Sequence, residues 1–335
     1  MTAVDRRGVL RWVTGAAVAA TAGCAPSRTA PIGAGGEGAE KRTAPYVPFD
    51  VTWLIRPREG RKYLGVSFSG EPVTPGYLAL WSGRTGKAPT LLAQRFSWDE
   101  DFPTDRVRAV WEQRILPYLT WEPRSTTLRR IAEGGTDGYV RHVAESVRDL
   151  NVPIALAFAP GMNDGRQPWG AGRASPEEFV GAWRHLHDLF QDTGVSNVVW
   201  VWSPTVAVRP SVPLKPYYPG DAYADWLGLT GRYTDRGAHT YDSLFGPSVK
   251  EIRSFTRIPV LVAGTAAQPG AGKPAAIADL VRAVTTRDDV VGFVWLDTDE
   301  GPGGTDWRID SSPGALAAFR RGVADPRFGF DVRRP

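Results

Sequence analysis

Eight short apolar runs, separated by segments of helical character, constrain this chain more than any other feature. They are Tyr63–Phe68, Leu91–Phe96, Leu116–Trp121, Ile154–Phe158, Val198–Trp202, Trp226–Leu229, Val260–Ala263 and Val290–Leu296. Most lack a clean apolar–polar alternation, as parallel strands buried on both faces do. The intervening segments carry helix signals. Ser175-Pro176-Glu177-Glu178 offers a capping serine, a proline at the first helical position and a glutamate three residues after the cap. Phe179, Val180, Trp183, Leu186 and Phe190 follow at helical spacing, and Gly194 ends the run. Thr104–Ile115 and Pro274–Thr286 also read as helices. Strands alternating with helices in this number predict an α/β fold, a (β/α)8 TIM barrel, as a single domain over residues 51–335.

The segment before it reads as an export signal. Asp5-Arg6-Arg7-Gly8-Val9-Leu10-Arg11 resembles a twin-arginine motif, and Trp12 to Ala22 is apolar or small. That stretch is too short to span a membrane and fits a signal core. Thr21-Ala22-Gly23-Cys24 resembles a lipobox, with Thr21 where leucine is usual. Residues 1–23 are therefore expected to be a twin-arginine-type lipoprotein signal peptide, with Cys24 lipidated. Residues 24–50, rich in Gly, Ala, Pro, Thr and Ser, form a flexible tether. The expected location is the outer face of the cytoplasmic membrane or the cell envelope. Cys24 is the only cysteine, so the exported domain has no disulfide and must be stabilised by its core.

The net charge is +4, and Arg6, Arg7 and Arg11 against Asp5 account for half of it. No basic stripe with interleaved aromatics accompanies it, which argues against a nucleic-acid partner. No glycine-rich phosphate loop and no His/Cys cluster is present, so neither cofactor nor metal is expected. His185 and His187 stand two apart on a helix and do not share a face. Ser67 and Ser69 lack a nearby histidine and a nucleophile-elbow context, which argues against a serine hydrolase.

In barrels of this kind the chemistry sits at the C-terminal ends of the strands. Those ends are rich here in Trp, Tyr, Asn and Asp. Aromatic faces stack on pyranose rings, and amides and carboxylates bind hydroxyls. Trp121, Glu122, Asn163, Trp169, Trp202, Tyr233, Trp295 and Trp307 are accordingly candidate sugar contacts. Each of the tryptophans could equally be core packing.

The chain resembles glycoside hydrolase family 26, whose best-known members are β-mannanases. The resemblance covers most of residues 60–325. It rests on Thr120–Pro123 (TWEP), on Asn197–Pro204 (NVVWVWSP) followed by Tyr217–Gly231 (YYPGDAYADWLGLTG), and on Asp306–Arg320 (DWRIDSSPGALAAFR). It implies a barrel that takes a β-linked polysaccharide or oligosaccharide, expected here as a monomer. Members of the family are retaining enzymes with two strand-end glutamates. The acid/base lies in a His-Glu-Met-Asn-Gly motif after the fourth strand. Here that motif reads Pro160-Gly161-Met162-Asn163-Asp164, and Trp169 keeps its place downstream. Arg166 stands at the first downstream tryptophan position, and Ala157 replaces an arginine upstream. The nucleophile position, at the end of the seventh strand, is Gly264.

Retaining hydrolysis needs one carboxyl to protonate the leaving oxygen and another, ~5 Å away, to attack the anomeric carbon. Glycine does neither. The sequence thus predicts a catalytically inactive, glycan-binding lipoprotein. Two alternatives stand beside it. One is an active retaining β-glycanase with relocated carboxylates, for which Asp164 and Asp297 are the candidates and Asp299 and Glu300 lie close by. The other is a structural or interaction protein without a glycan ligand.

Overall fold

A computed structural model describes residues 47–334, apart from 69, 71, 72, 207–210 and 238. The expected signal peptide, Cys24 and nearly all of the tether lie outside these residues. Eight strands form a closed barrel in chain order, every neighbouring pair parallel. They are β1 (Tyr63–Phe68), β2 (Leu91–Ser97), β3 (Leu116–Glu122), β4 (Ile154–Phe158), β5 (Val198–Trp202), β6 (Trp226–Tyr233), β7 (Val260–Ala267) and β8 (Val290–Asp297). The helices are α1 (Thr52–Ile55), α2 (Pro75–Thr85), α3 (Thr104–Glu112), α4 (Leu128–Ala132), α5 (Asp137–Leu150), α6 (Pro176–Asp192), α7 (Tyr241–Leu244), α8 (Gly246–Ile252), α9 (Lys273–Thr286) and α10 (Pro313–Val323). The chain is thus a (β/α)8 barrel, with every apolar run on a strand.

Five strands run past their apolar runs, β6 and β7 by the most. β6 continues to Tyr233 and β7 to Ala267. Their register shifts between Gly228 and Thr230, and that of β7 with β8 shifts between Val262 and Thr265. Such bulges re-aim side chains at barrel rims. Here the consecutive residues Ala263 and Gly264 both line the mouth of the barrel.

The α6 cap forms as the spacing indicates. Ser175 Oγ accepts from the Glu178 backbone N–H at 3.2 Å, and Glu178 Oε2 accepts from the Ser175 N–H at 2.9 Å. A cap of this kind stabilises a helix by about 1 kcal/mol. Phe179, Trp183, Leu186 and Phe190 from its apolar face are buried against the sheet.

Strand alternation divides the core into two layers. One lies between sheet and helices and holds Trp81, Trp121, Trp183, Trp200, Trp202 and Trp295. The other fills the barrel interior with residues such as Tyr63, Leu91, Leu116, Val199, Trp226 and Leu261. At the N-terminal end α1 closes this interior. Tyr63 Oη donates to the Leu54 carbonyl at 2.8 Å, and Trp226 Nε1 donates to the Ile55 carbonyl at 2.8 Å. Toward the other end the inward residues shrink to Ala93, Thr120, Ser203, Thr230, Ala263 and Gly264, and the interior opens into a cavity.

The β1–β8 pair closes the barrel through size complementarity. Tyr63 lies beside Gly292, and Val294 beside Gly65. A Cβ on Gly292 would stand 2.4 Å from the Tyr63 carbonyl oxygen, and one on Gly65 would stand 2.7 Å from Val294 Cγ2.

Candidate functional site

The cavity at the C-terminal mouth has a volume of about 680 Å³ and draws on all eight strand ends. That size suits a small oligosaccharide segment. Its wall includes six hydroxyls, from Ser67, Thr120, Ser203, Thr205, Thr230 and Thr298, and the guanidiniums of Arg95 and Arg232, among apolar residues such as Phe68, Val73 and Leu296. Tyr118 sits in its floor. Burial raises its phenol well above the usual value, and Ser203 hydrogen-bonds to it.

Gly161 and Gly264 both line this cavity. Gly161 has φ +70°, in the left-handed region, and its N–H donates to the Ser203 carbonyl at 2.7 Å. A Cβ there would lie 3.0 Å from Thr205 Oγ1. Ala159, two residues earlier, also has a positive φ, +45°. Its N–H is held by the Trp121 carbonyl at 2.9 Å. Gly264 lies beside Thr230, and a Cβ on it would stand 3.2 Å from Thr230 Cγ2 and 3.4 Å from its hydroxyl. A threonine hydroxyl therefore borders each glycine.

Of the eight candidate sugar contacts, only Glu122 lines the cavity. Its Oε1 accepts from Arg95 Nε at 3.2 Å and its Oε2 from Arg124 Nε at 2.7 Å. Asn163 is buried. Its Nδ2 donates to the Thr205 carbonyl at 2.7 Å and its Oδ1 accepts from the Thr205 N–H at 2.9 Å. It ties the loop after β4 to the loop after β5 and fixes Thr205.

The aromatic candidates sit elsewhere than expected. Trp121 is fully buried and stacks with Phe96 and Trp98, centroids 5.4 and 4.8 Å away. Trp202 and Trp295 are buried, and their Nε1 atoms donate to the carbonyls of Tyr217 and Trp307. Tyr233 packs edge-on against Phe245. The reason is the period-two alternation of a strand: Thr120 and Glu122 face inward, so Trp121 between them faces the helices. The same phase turns Trp202, Tyr233 and Trp295 outward. Trp169 and Trp307 are buried in loops but brace the wall. Trp169 Nε1 donates to the Pro160 carbonyl at 2.9 Å, and Trp307 Nε1 donates to Glu300 Oε1 at 2.9 Å.

The two relocated-acid candidates do not line the cavity either. Asp164 is buried, and Arg166 grips both of its oxygens, at 3.0 and 2.6 Å. That pairing holds its carboxyl below the usual range. Asp297 points outward into the helix layer. It accepts from Trp81 Nε1 at 3.1 Å and from the Ile309 N–H at 2.7 Å. Burial raises its carboxyl, a property that elsewhere marks proton donors. The carboxyl is 1% exposed, with Arg84 3.9 Å away, so it serves packing.

Besides Glu122, the carboxylates that line the cavity among the described residues are Asp299 and Glu300. Asp299 pairs with Arg308 at 3.2 Å. Glu300 accepts from the Thr305 N–H, Trp307 Nε1 and Arg232, which hold its carboxyl low. Arg95, Thr205, Gln167, Thr230 and Arg232 are wall residues that the sequence reading did not single out. Alternation from Glu122 outward would have assigned Thr120, and its parallel neighbour Arg95, to the inner face. Among the described residues no group of three or more His, Cys, Asp and Glu side chains is placed to hold a metal ion.

Comparison with known proteins agrees with this architecture. The family model for glycosyl hydrolase family 26 matches residues 132–257. Endoglucanase H of Acetivibrio thermocellus is 27% identical over 252 residues, which is 71% of this chain and 28% of that protein. The chain thus spans little more than a quarter of the length of that relative. A Cellulomonas fimi endo-β-1,4-mannanase double mutant superposes with a TM-score of 0.62 at 15% identity, covering 84% of this chain and 74% of that one. The catalytic domain of a Bacillus sp. JAMB-750 endo-β-1,4-mannanase gives 0.62 at 13% identity, covering 84% of this chain and 90% of that one. In sequence the chain is thus similar to glycosyl hydrolase family 26 over residues 132–257, and in fold it shares the barrel of these mannanases.

Proposed function

We propose that this protein binds a β-linked polysaccharide at the cell envelope and does not hydrolyse it. One observation supports this most. Gly161 and Gly264, the positions the family resemblance assigns to the acid/base and the nucleophile, line one shared cavity and offer no titratable group there. The rest of the wall is suited to holding a sugar, with hydroxyls from five strand ends and two guanidiniums. The names of the similar proteins, an endoglucanase and mannanases, point to β-glucan or β-mannan as the class to try first. Asp164 and Asp297 give no support to an active enzyme with relocated acids, because neither lines the cavity.

Export and lipidation at Cys24 belong to the same proposal. Among the described residues no helix is long and apolar enough to cross a membrane; in this proposal the lipid on Cys24 is the attachment. Replacing Cys24 with Ala is expected to move the protein from the membrane fraction to the soluble fraction, and unchanged fractionation would remove the anchor from the proposal.

The binding claim is tested by electrophoresis in gels containing soluble β-mannans or β-glucans. Retarded migration in at least one gel is the expected result. Unretarded migration in all of them would reject glycan binding and leave a barrel with a structural role.

A further inference from the structure

Arg95 and Glu122 line the cavity from β2 and β3, and the other lining carboxylates among the described residues, Asp299 and Glu300, are paired with Arg308 and Arg232. Glu122 is held between two guanidiniums, Arg95 on one oxygen and Arg124 on the other. Neither arginine has another carboxylate partner among the described residues. Arg95 uses only its Nε in this contact, and its side chain is 65% exposed along the cavity. Its two terminal nitrogens make no hydrogen bond among the described residues. They present the parallel pair of N–H donors that binds a carboxylate in bidentate fashion.

The opposite side of the cavity has lost its usual objection to an anion. A retaining site keeps an ionised nucleophile against the sugar ring, and like charges repel at that range. Here the wall at β4–β5 and β6–β7 presents the hydroxyls of Thr205 and Thr230 beside Gly161 and Gly264. Hydroxyls donate to anions.

We infer that the cavity selects an acidic glycan, one whose sugar carries a carboxylate, and that Arg95 receives that carboxylate. The inference rests on the glycan-binding reading above and narrows it from neutral β-glycans to uronic-acid-containing ones.

A matched pair of probes tests it: β-1,4-linked mannotetraose and the β-1,4-linked mannuronate tetramer, which differ by oxidation at C6. Titration calorimetry of the whole protein is expected to give about tenfold tighter binding of the mannuronate at low salt, the size of one charge-assisted contact. That preference should shrink as salt rises. Arg95→Gln is expected to bring the two affinities within about twofold of each other. Glu122→Gln, which frees both guanidiniums, is expected to widen the preference.

Mannotetraose bound as tightly as mannuronate or more tightly would overturn the inference and leave the glycan reading standing. Binding of neither probe would overturn the inference, and migration in the β-glucan gels then decides whether glycan binding itself stands. A mannuronate preference that survives Arg95→Gln would overturn the assignment to Arg95. The wild-type comparison needs no variant, and matching melting curves confirm that Arg95→Gln is folded.

Discussion

Incubated with soluble β-mannan or β-glucan, the protein is expected to release no reducing sugar above background, and restoring glutamate at Gly264 alone is expected to leave that unchanged. Loss of general acid catalysis costs on the order of 10²–10⁴ in rate. Loss of the nucleophile removes the covalent route itself. The two groups act as a unit, so one restored carboxylate recovers little. Even Gly161→Glu with Gly264→Glu is expected to stay far below an active relative. Position 161 has φ +70°, which costs an L-residue roughly 1–2 kcal/mol. Its Cβ would also press on Thr205 Oγ1 at 3.0 Å. That hydroxyl belongs to a residue whose backbone Asn163 holds at both ends, so it has little room to yield. The loop after β4 is shaped for glycine. Wild-type turnover abolished by Glu122→Gln or Glu300→Gln would place a working acid among the remaining cavity carboxylates and refute the binding-only reading.

Gly292→Ala is expected to destabilise the barrel by about 3 kcal/mol or more, a large share of the ~5–15 kcal/mol typical of a folded domain. The added methyl would stand 2.4 Å from the Tyr63 carbonyl oxygen, 2.6 Å from its Cβ and 2.7 Å from its amide nitrogen. Two of these are backbone atoms of β1, so no side-chain rotation relieves the clash. Tyr63 is further fixed by its hydroxyl bond to Leu54. The β1–β8 seam must therefore open or shift, with loss of its ladder. Gly83→Ala is the control. Gly83 lies exposed within α2 with nothing within 4 Å of an added Cβ, and it should gain up to about 1 kcal/mol in helix propensity. Urea titration separates the two, and a Gly292→Ala midpoint equal to wild type would refute the account of the seam.

The strands were legible because each is an apolar run, and the α6 boundary because Ser175 and Glu178 announce it. The far ends of β6 and β7 were not. Gly264-Thr265-Ala266-Ala267 is small rather than apolar, and only closure of the barrel buries it. The cavity was half legible. The family resemblance directed attention to Gly161 and Gly264, and the structure brings both to one mouth. The aromatic candidates were not legible, because residue type does not reveal which side of a strand a side chain takes. Trp121 and Glu122 are adjacent on one strand and cannot both face the cavity. Arg95 was not legible either, because guanidinium–carboxylate pairing across β2 and β3 depends on register, which no single strand reveals.

The outward turn of the tryptophans has a spectroscopic consequence. Among the described residues no indole lines the cavity, and the emission of Trp121, Trp202 and Trp295 arises from rings sealed between sheet and helices. Emission from these three rings therefore reports whether the barrel is closed, not whether its mouth is filled. A glycan can enter without quenching or shifting that emission, whereas Trp169 and Trp307, hydrogen-bonded to the lining residues Pro160 and Glu300, are the indoles placed to sense it.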